Sequence, residues 1–398
     1  MESSSTFDVL VVGGSGRVGA STVHWLNKLS RRCSEGIPFR LAIGGRSRAN
    51  FESVRNRLQL PELVFSPVDL DAGAESLVSA VRGARLVVHT AGPFQGRSQP
   101  DLLRACIAAE VAYCDVCDEF AFSRHARELS GAAAAAGIPA VVSCGIWPGV
   151  SALLAAEAVQ QLGGPQVCDR VDLSFFTAGS GGAGPTIVSA TFLLLATRVL
   201  TYVDGMLACK EPWTERRVID FGDGVGRQAC FLLDNPDVPT TVESLGVANC
   251  ASRFGTAPAA WNNLFAAIKL LPDDLLLNRD AMQRLARFSM PIIRAVDQWV
   301  GATNAMRIDA CSKGGEGNGT PDRITLRCVH ADLQDCVGQA TAAFAMEMLR
   351  GRSGHSTAEQ TTAEQTIPAG VWYPAELQAT ARNNILNVAR EQALVWEV

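Results

Sequence analysis

An apolar run from Val9 to Val12 leads straight into Gly13, Gly14, Gly16 and Gly19 and then into a helix-like stretch. Strand, glycine turn and helix in that order are what a dinucleotide-binding βαβ unit requires. Gly14 is expected to permit the tight turn, Gly16 to let backbone approach a pyrophosphate, and Gly19 to let the helix pack on the strand. Ser15, Arg17 and Val18 complete the turn, where a helix N-terminus offers unpaired N–H groups to an anion.

The end of the second strand indicates which dinucleotide. After Phe39, Leu41, Ala42 and Ile43 come Gly44, Gly45, Arg46, Ser47 and Arg48. A cofactor without the 2′-phosphate usually meets an acid there, and none is present. Arg46, Ser47 and Arg48 can instead give charge-assisted hydrogen bonds to a 2′-phosphate, so NADP(H) is expected, the alternative being solvated loop arginines. Asp69, after the third strand, is placed to accept from an adenine amino group or to cap a helix.

At 398 residues the chain exceeds one ordinary core, and two domains are expected. A 47% hydrophobic, 19% charged composition describes a well-buried globular protein, and a net charge of -5 offers no footprint for nucleic acid. Twelve cysteines without framework spacing point to free thiols in a reducing compartment, cytoplasmic or, with a leader removed, plastid. The longest apolar stretch, 187–203, contains Arg198 and falls short of a bilayer span, so it is expected to be a buried helix.

Short apolar runs alternate with helical segments over the first 145 or so residues, as a doubly wound parallel sheet demands. Strands are expected at 9–12, 40–43, 63–66, 86–89, 112–115 and 140–143, with helices at 21–29, 74–81, 99–109 and 122–136. From Gly145 the texture changes to α+β. There 151–162 reads as a helix, 170–177 as a strand, 179–184 as a flexible loop, 186–203 as an apolar helix, and 307–311 with 323–330 as a hairpin. The fold class is therefore α/β, with a dinucleotide-binding Rossmann domain over 1–148, an α+β substrate domain over 149–350, a flexible linker over 351–369 and a C-terminal segment over 370–398.

Five segments, GGSGRVG at 13–19, AGPF at 91–94, YCDVCDE at 113–119, AAGIPAVVSCGIWPGVS at 135–151 and GVWYPAEL at 370–377, resemble the saccharopine dehydrogenase/reductase-like family. The resemblance spans nearly the whole chain and is sharp up to about Ser151. It implies an NADP(H)-dependent oxidoreductase, a C-terminal segment that returns to the nucleotide domain, and hydride transfer to or from an imine, an enoyl group or a carbonyl. Dimerisation through the second domain is also expected from the family. The apolar second region, with Arg198, Arg253 and Arg307 as its candidate carboxylate clamps, points away from saccharopine itself and toward a larger, less charged substrate.

Ligands meet the carboxyl ends of the strands in such sheets. Ala91, Gly92, Pro93 and Phe94 are expected beside the nicotinamide, and Arg97 is the nearest cation for a substrate carboxylate or cofactor phosphate. Tyr113 and Asp115 are candidate proton donors, and Asp118 and Glu119 are read as helix caps or acids. Cys114 and Cys117 form an isolated CxxC, so no metal is expected, and Cys144 lacks an activating His. No tyrosine precedes a lysine by four residues, which excludes a short-chain reductase by motif. The expected activity is NADPH-dependent reduction of a small-molecule substrate in the interdomain cleft, and the alternative is a catalytically silent NADP(H) sensor or scaffold. Residues 285–300 leave peripheral contact with a membrane surface open.

Overall fold

The computed structural model describes residues 7–33, 39–95, 97–179, 185–313, 322–350 and 366–398. Two compact units emerge, one from residues 1–150 with 334–389 and the other from 151–333 with 390–398. This division differs from the expected one in two places. The helix Leu333–Leu349 groups with the first unit, because Trp25 Nε1 and Ser21 Oγ both donate to Asp335 Oδ1, at 2.9 and 3.2 Å, and Gly338 lies flush against Ser21. The end of the chain groups with the second unit, where Ala393–Glu397 is a strand of its sheet.

The first unit is built on β1 (Val9–Val12), β2 (Leu41–Gly45), β3 (Val64–Pro67), β4 (Leu86–His89), β5 (Ala112–Asp115) and β6 (Pro139–Val141). All pair in parallel in the order β3-β2-β1-β4-β5-β6, and Gly370–Trp372 extends the sheet beyond β6. Parallel strands covered on both faces read as continuous apolar runs, and β1 and β4 are buried at every position. The expected strands all occur. The expected helix over 122–136 is two, Phe120–Arg127 and Ser130–Ala135. In this strand order the direction of winding reverses between β1 and β4, so the loops after those two strands flank the switch point.

The second unit is a mixed sheet centred on Cys168–Ala178, which pairs in parallel with Asn249–Ala257 and antiparallel with Asn304–Ser312. The hairpin of Asn304–Ser312 with Arg323–His330 forms as expected. The long apolar helix expected over 186–203 does not. It ends at Leu194, and Val199–Val203 is a strand that turns back at Asp204 and Gly205 onto Met206–Lys210. Alternating β-branched Val199, Thr201 and Val203 suit a pleated surface better than a helix. Of the expected loop over 179–184, residues 180–184 lie outside the described residues, as does most of the linker. No helix among the described residues is long and apolar enough to cross a membrane.

Candidate nucleotide-binding site

The loop after β1 is shaped by what a side chain would strike. Gly13 has φ +82, and a Cβ there would stand 2.6 Å from the Ala91 nitrogen. The tight turn therefore belongs to Gly13 and not to Gly14, whose bare Cα instead accommodates Ile43 on β2 and the Val11 carbonyl. A Cβ on Gly19 would lie 2.4 Å from the Gly13 carbonyl and 2.6 Å from Thr90 Oγ1, so helix and loop meet only because it is glycine. The Thr90 hydroxyl in turn donates to the Val12 carbonyl at 2.9 Å, which joins the ends of β1 and β4.

Gly16 differs from these. A Cβ there would meet only the Gly13 carbonyl, at 3.2 Å, and the residue is exposed beside Arg17 and half-buried Ser15. Its missing side chain leaves open space over the start of the helix Arg17–Cys33, where first-turn N–H groups have no partner within the helix. Val18 is half-buried in that first turn. The cradle fits a pyrophosphate.

At the end of β2, Arg46 is exposed and makes no ion pair or hydrogen bond among the described residues. The Ser47 hydroxyl accepts from the Asn50 N–H at 3.2 Å as the N-cap of Arg48–Leu58, which leaves its own proton to donate outward. Arg48 is already engaged, over the Phe65 ring and toward Glu52 at 3.9 Å. Gly45 would tolerate a Cβ without any contact, and no carboxylate stands in this stretch. Asp69 is exposed and accepts from the Asp71 N–H at 3.2 Å. It caps no helix, since Gly73 is the N-cap of Ala74–Val81.

The turn after β4 carries Ala91, Gly92, Pro93 and Phe94. Gly92 and Pro93 are exposed and Ala91 half-buried, whereas Phe94 is buried, its ring 4.9 Å from that of His89 and 5.4 Å from that of Phe122. Phe94 therefore anchors the turn from beneath and does not offer its face to a ligand. Arg97 lies 3.4 Å from Asp71 in an exposed ion pair, so its guanidinium is shared with a carboxylate.

Tyr113 and Asp115 do not reach solvent. The Tyr113 hydroxyl donates to Asp115 Oδ2 at 3.0 Å and accepts from His89 Nδ1 at 3.0 Å, and Asp115 Oδ1 accepts the N–H groups of Ser143 at 2.7 Å and Cys117 at 3.0 Å. Burial raises the Asp115 carboxyl to about 6 against the pull of those N–H donors, and burial and then the Asp115 charge hold the Tyr113 hydroxyl well above its usual range. Burial, followed by the Arg97 charge, pushes the His89 imidazole down to about 3. Both expected proton donors, Tyr113 and Asp115, sit in the interior, where Asp115 ties the end of β5 to the segment after β6. Sequence reasoning missed His89, whose only signal was one polar residue closing the apolar run LVVH.

The three candidate carboxylate clamps of the second unit are likewise committed. Arg198 pairs with Glu211, Arg253 with Asp172 at 3.3 Å and Glu215 at 3.2 Å, and Arg307 grips Asp309 with two 2.8 Å hydrogen bonds.

Residues 9–141 match the family model described as the saccharopine dehydrogenase NADP binding domain, and the NADP(H) expected from the end of β2 agrees with it. A trans-acting enoyl reductase of Mycobacterium leprae (strain TN) is 30% identical over 141 residues, a match covering 35% of this chain and about a third, 32%, of that protein's length. The fold is that of apo saccharopine dehydrogenase (L-Glu forming) from Saccharomyces cerevisiae, at TM-score 0.62 and 12% identity over 98% of this chain and 99% of that one. Over residues 9–141 this chain is similar to the saccharopine dehydrogenase NADP-binding domain family.

Proposed function

We propose that this chain is an NADP(H)-dependent oxidoreductase of the saccharopine dehydrogenase type that reduces a C=N, C=O or C=C bond of a small or moderately lipophilic substrate. The observation that carries this reading is the open cradle at Gly16 together with an unengaged Arg46 and an outward Ser47 hydroxyl, with no acid beside them. When bound, NADPH supplies a hydride. In this reading the N–H groups around Ser15, Arg17 and Val18 hold the pyrophosphate, Arg46 and Ser47 hold the 2′-phosphate, and Ala91 to Pro93 form the rim at the switch point. Asp115, Tyr113 and His89 act as positioning residues that fix the strand ends below.

Internal pairing of Arg198, Arg253 and Arg307 supports a substrate without two carboxylates to clamp. The relative named as an enoyl reductase makes an enoyl C=C the first class to assay, followed by imines. Fluorescence titration with NADPH and NADH, on the native chain and on Arg46→Ala, tests the cofactor half. Binding of neither nucleotide would overturn the reading. The burial of both expected proton donors favours a second one, an NADP(H) sensor without turnover, which predicts tight NADPH binding and no NADPH consumption across the same substrates.

A further inference from the structure

The helix Arg279–Val300 carries two apolar faces where a surface helix needs one. Met282, Ala286, Met290 and Ile293 are its buried residues, and the first two join Phe192 and Leu276 in one core cluster. A second stripe, Phe288, Ile292, Ala295 and Trp299, follows at spacings of four, three and four residues and is exposed throughout, Phe288 at 79% and Trp299 at 81%. Isolated exposed apolar residues are ordinary, but two aromatics and an isoleucine along about 16 Å of one helix face are a patch without a partner among the described residues.

Arg284, Arg287 and Arg294 are exposed on the same helix and make no ion pair or hydrogen bond among the described residues. At helical spacing Arg287 and Arg294 fall along one flank of the stripe, and the helix carries four arginines against two aspartates in a chain of net charge -5. We infer that this face docks the protein on an anionic phospholipid bilayer, with Phe288, Ile292 and Trp299 in the headgroup boundary and the arginines on the phosphates. Charge decides against the other obvious occupant, a second copy of this chain. A two-fold pairing across this face would bring the same arginines together. The inference stands apart from the oxidoreductase reading.

The test is co-sedimentation of the full chain with vesicles of phosphatidylcholine alone or with about 30% phosphatidylserine, at low and high salt. The native chain is expected to bind the anionic vesicles at least about 10-fold better than neutral ones, with binding weakened by salt. Phe288→Ser with Trp299→Ser, and separately Arg284→Glu with Arg287→Glu and Arg294→Glu, should each abolish that binding while the circular dichroism melt is kept. Should either variant misfold, quenching of native tryptophan emission by brominated acyl chains gives an independent reading. Absence of vesicle binding by the native chain, binding unchanged in both folded variants, no quenching, or a native dimer that Trp299→Ser converts to monomer would each overturn the inference.

Discussion

The Tyr113 hydroxyl donates to Asp115 Oδ2 at 3.0 Å with both side chains closed off from water, so a carboxylate is held inside the first unit by hydrogen bonds alone. Its proton is bound more tightly when folded, at about 6, than in an unfolded chain, at about 4. The folded state then carries the extra proton, and this group makes stability fall as pH rises between about 4 and 6. Asp115→Asn removes that titration while its carbonyl still accepts from Ser143 and Cys117. Relative to the native chain it should gain on the order of 3 kcal/mol between pH 4 and pH 7. His89 has the opposite sign, since its low folded value costs stability as pH falls from about 6.5, but it is present in both proteins and largely cancels. Urea unfolding of both proteins at several pH values measures the difference, and a flat difference across this range would contradict the argument.

Gly19 and Gly16 should separate stability from binding. A methyl on Gly19 strikes the Gly13 backbone and Thr90, neither of which can yield easily, so Gly19→Ala should cost about 1–3 kcal/mol and lower the melting temperature. A methyl on Gly16 has one 3.2 Å neighbour and open space beyond it. Gly16→Ala should therefore melt close to the native protein but bind NADPH about 10-fold or more weakly, because the methyl occupies the approach to the helix N-terminus. Calorimetric melts and nucleotide titrations of the two variants give both numbers.

Why part of this was legible in the sequence follows from what the backbone forbids. Gly13 and Gly19 occupy positions where any side chain collides, so the glycine run could be read directly. The central strands β1 and β4 of the first sheet, buried at every position, left nearly continuous apolar runs. The stretch 186–203 left an apolar run too, and hydrophobicity alone does not separate a buried helix from a strand; the turn at Asp204 and Gly205 was the overlooked signal. At the site, the residue types at 113 and 115 were legible and their direction was not. Two residues apart on a strand, they share a face and so a fate, but only the contacts of His89 with Tyr113 and of the Ser143 N–H with Asp115 reveal that it points inward.

The two arginines after β2 should not contribute equally. Arg46 is free to meet a phosphate, whereas Arg48 already lies over Phe65 and toward Glu52. Loss of a charge-assisted hydrogen bond costs about 1.5–3 kcal/mol, so Arg46→Ala should weaken NADPH about 10-fold to 100-fold and leave NADH nearly unchanged. Arg48→Ala should change the NADPH to NADH ratio by less than about 3-fold. Parallel titrations with both nucleotides decide it, and equal losses in the two variants would show that Arg46 holds no special place.

Arg127 closes the far edge of the first sheet. Its guanidinium donates to the Val371 carbonyl and to Glu376 Oε1, at 2.6 Å for the latter, and lies over the Trp372 and Tyr373 rings. The strand Gly370–Trp372 is only three residues long, and Arg127 holds it beside its parallel partner β6 together with the Ser130 hydroxyl, which accepts from the Val371 N–H at 3.0 Å. Arg127→Met keeps the apolar stem but takes the cation away from the half-buried Glu376 carboxylate, which retains only the Tyr373 N–H at 2.8 Å, and leaves the Val371 carbonyl with the Ser130 hydroxyl at 3.4 Å. The change should cost about 2 kcal/mol or more. Amide hydrogen exchange should then speed up in residues 366–376 while β1 and β4 keep their protection, because their pairing does not run through this edge. Uniform acceleration across the whole sheet would instead mean that the C-terminal strand is part of one cooperative unit with the strands of the nucleotide site.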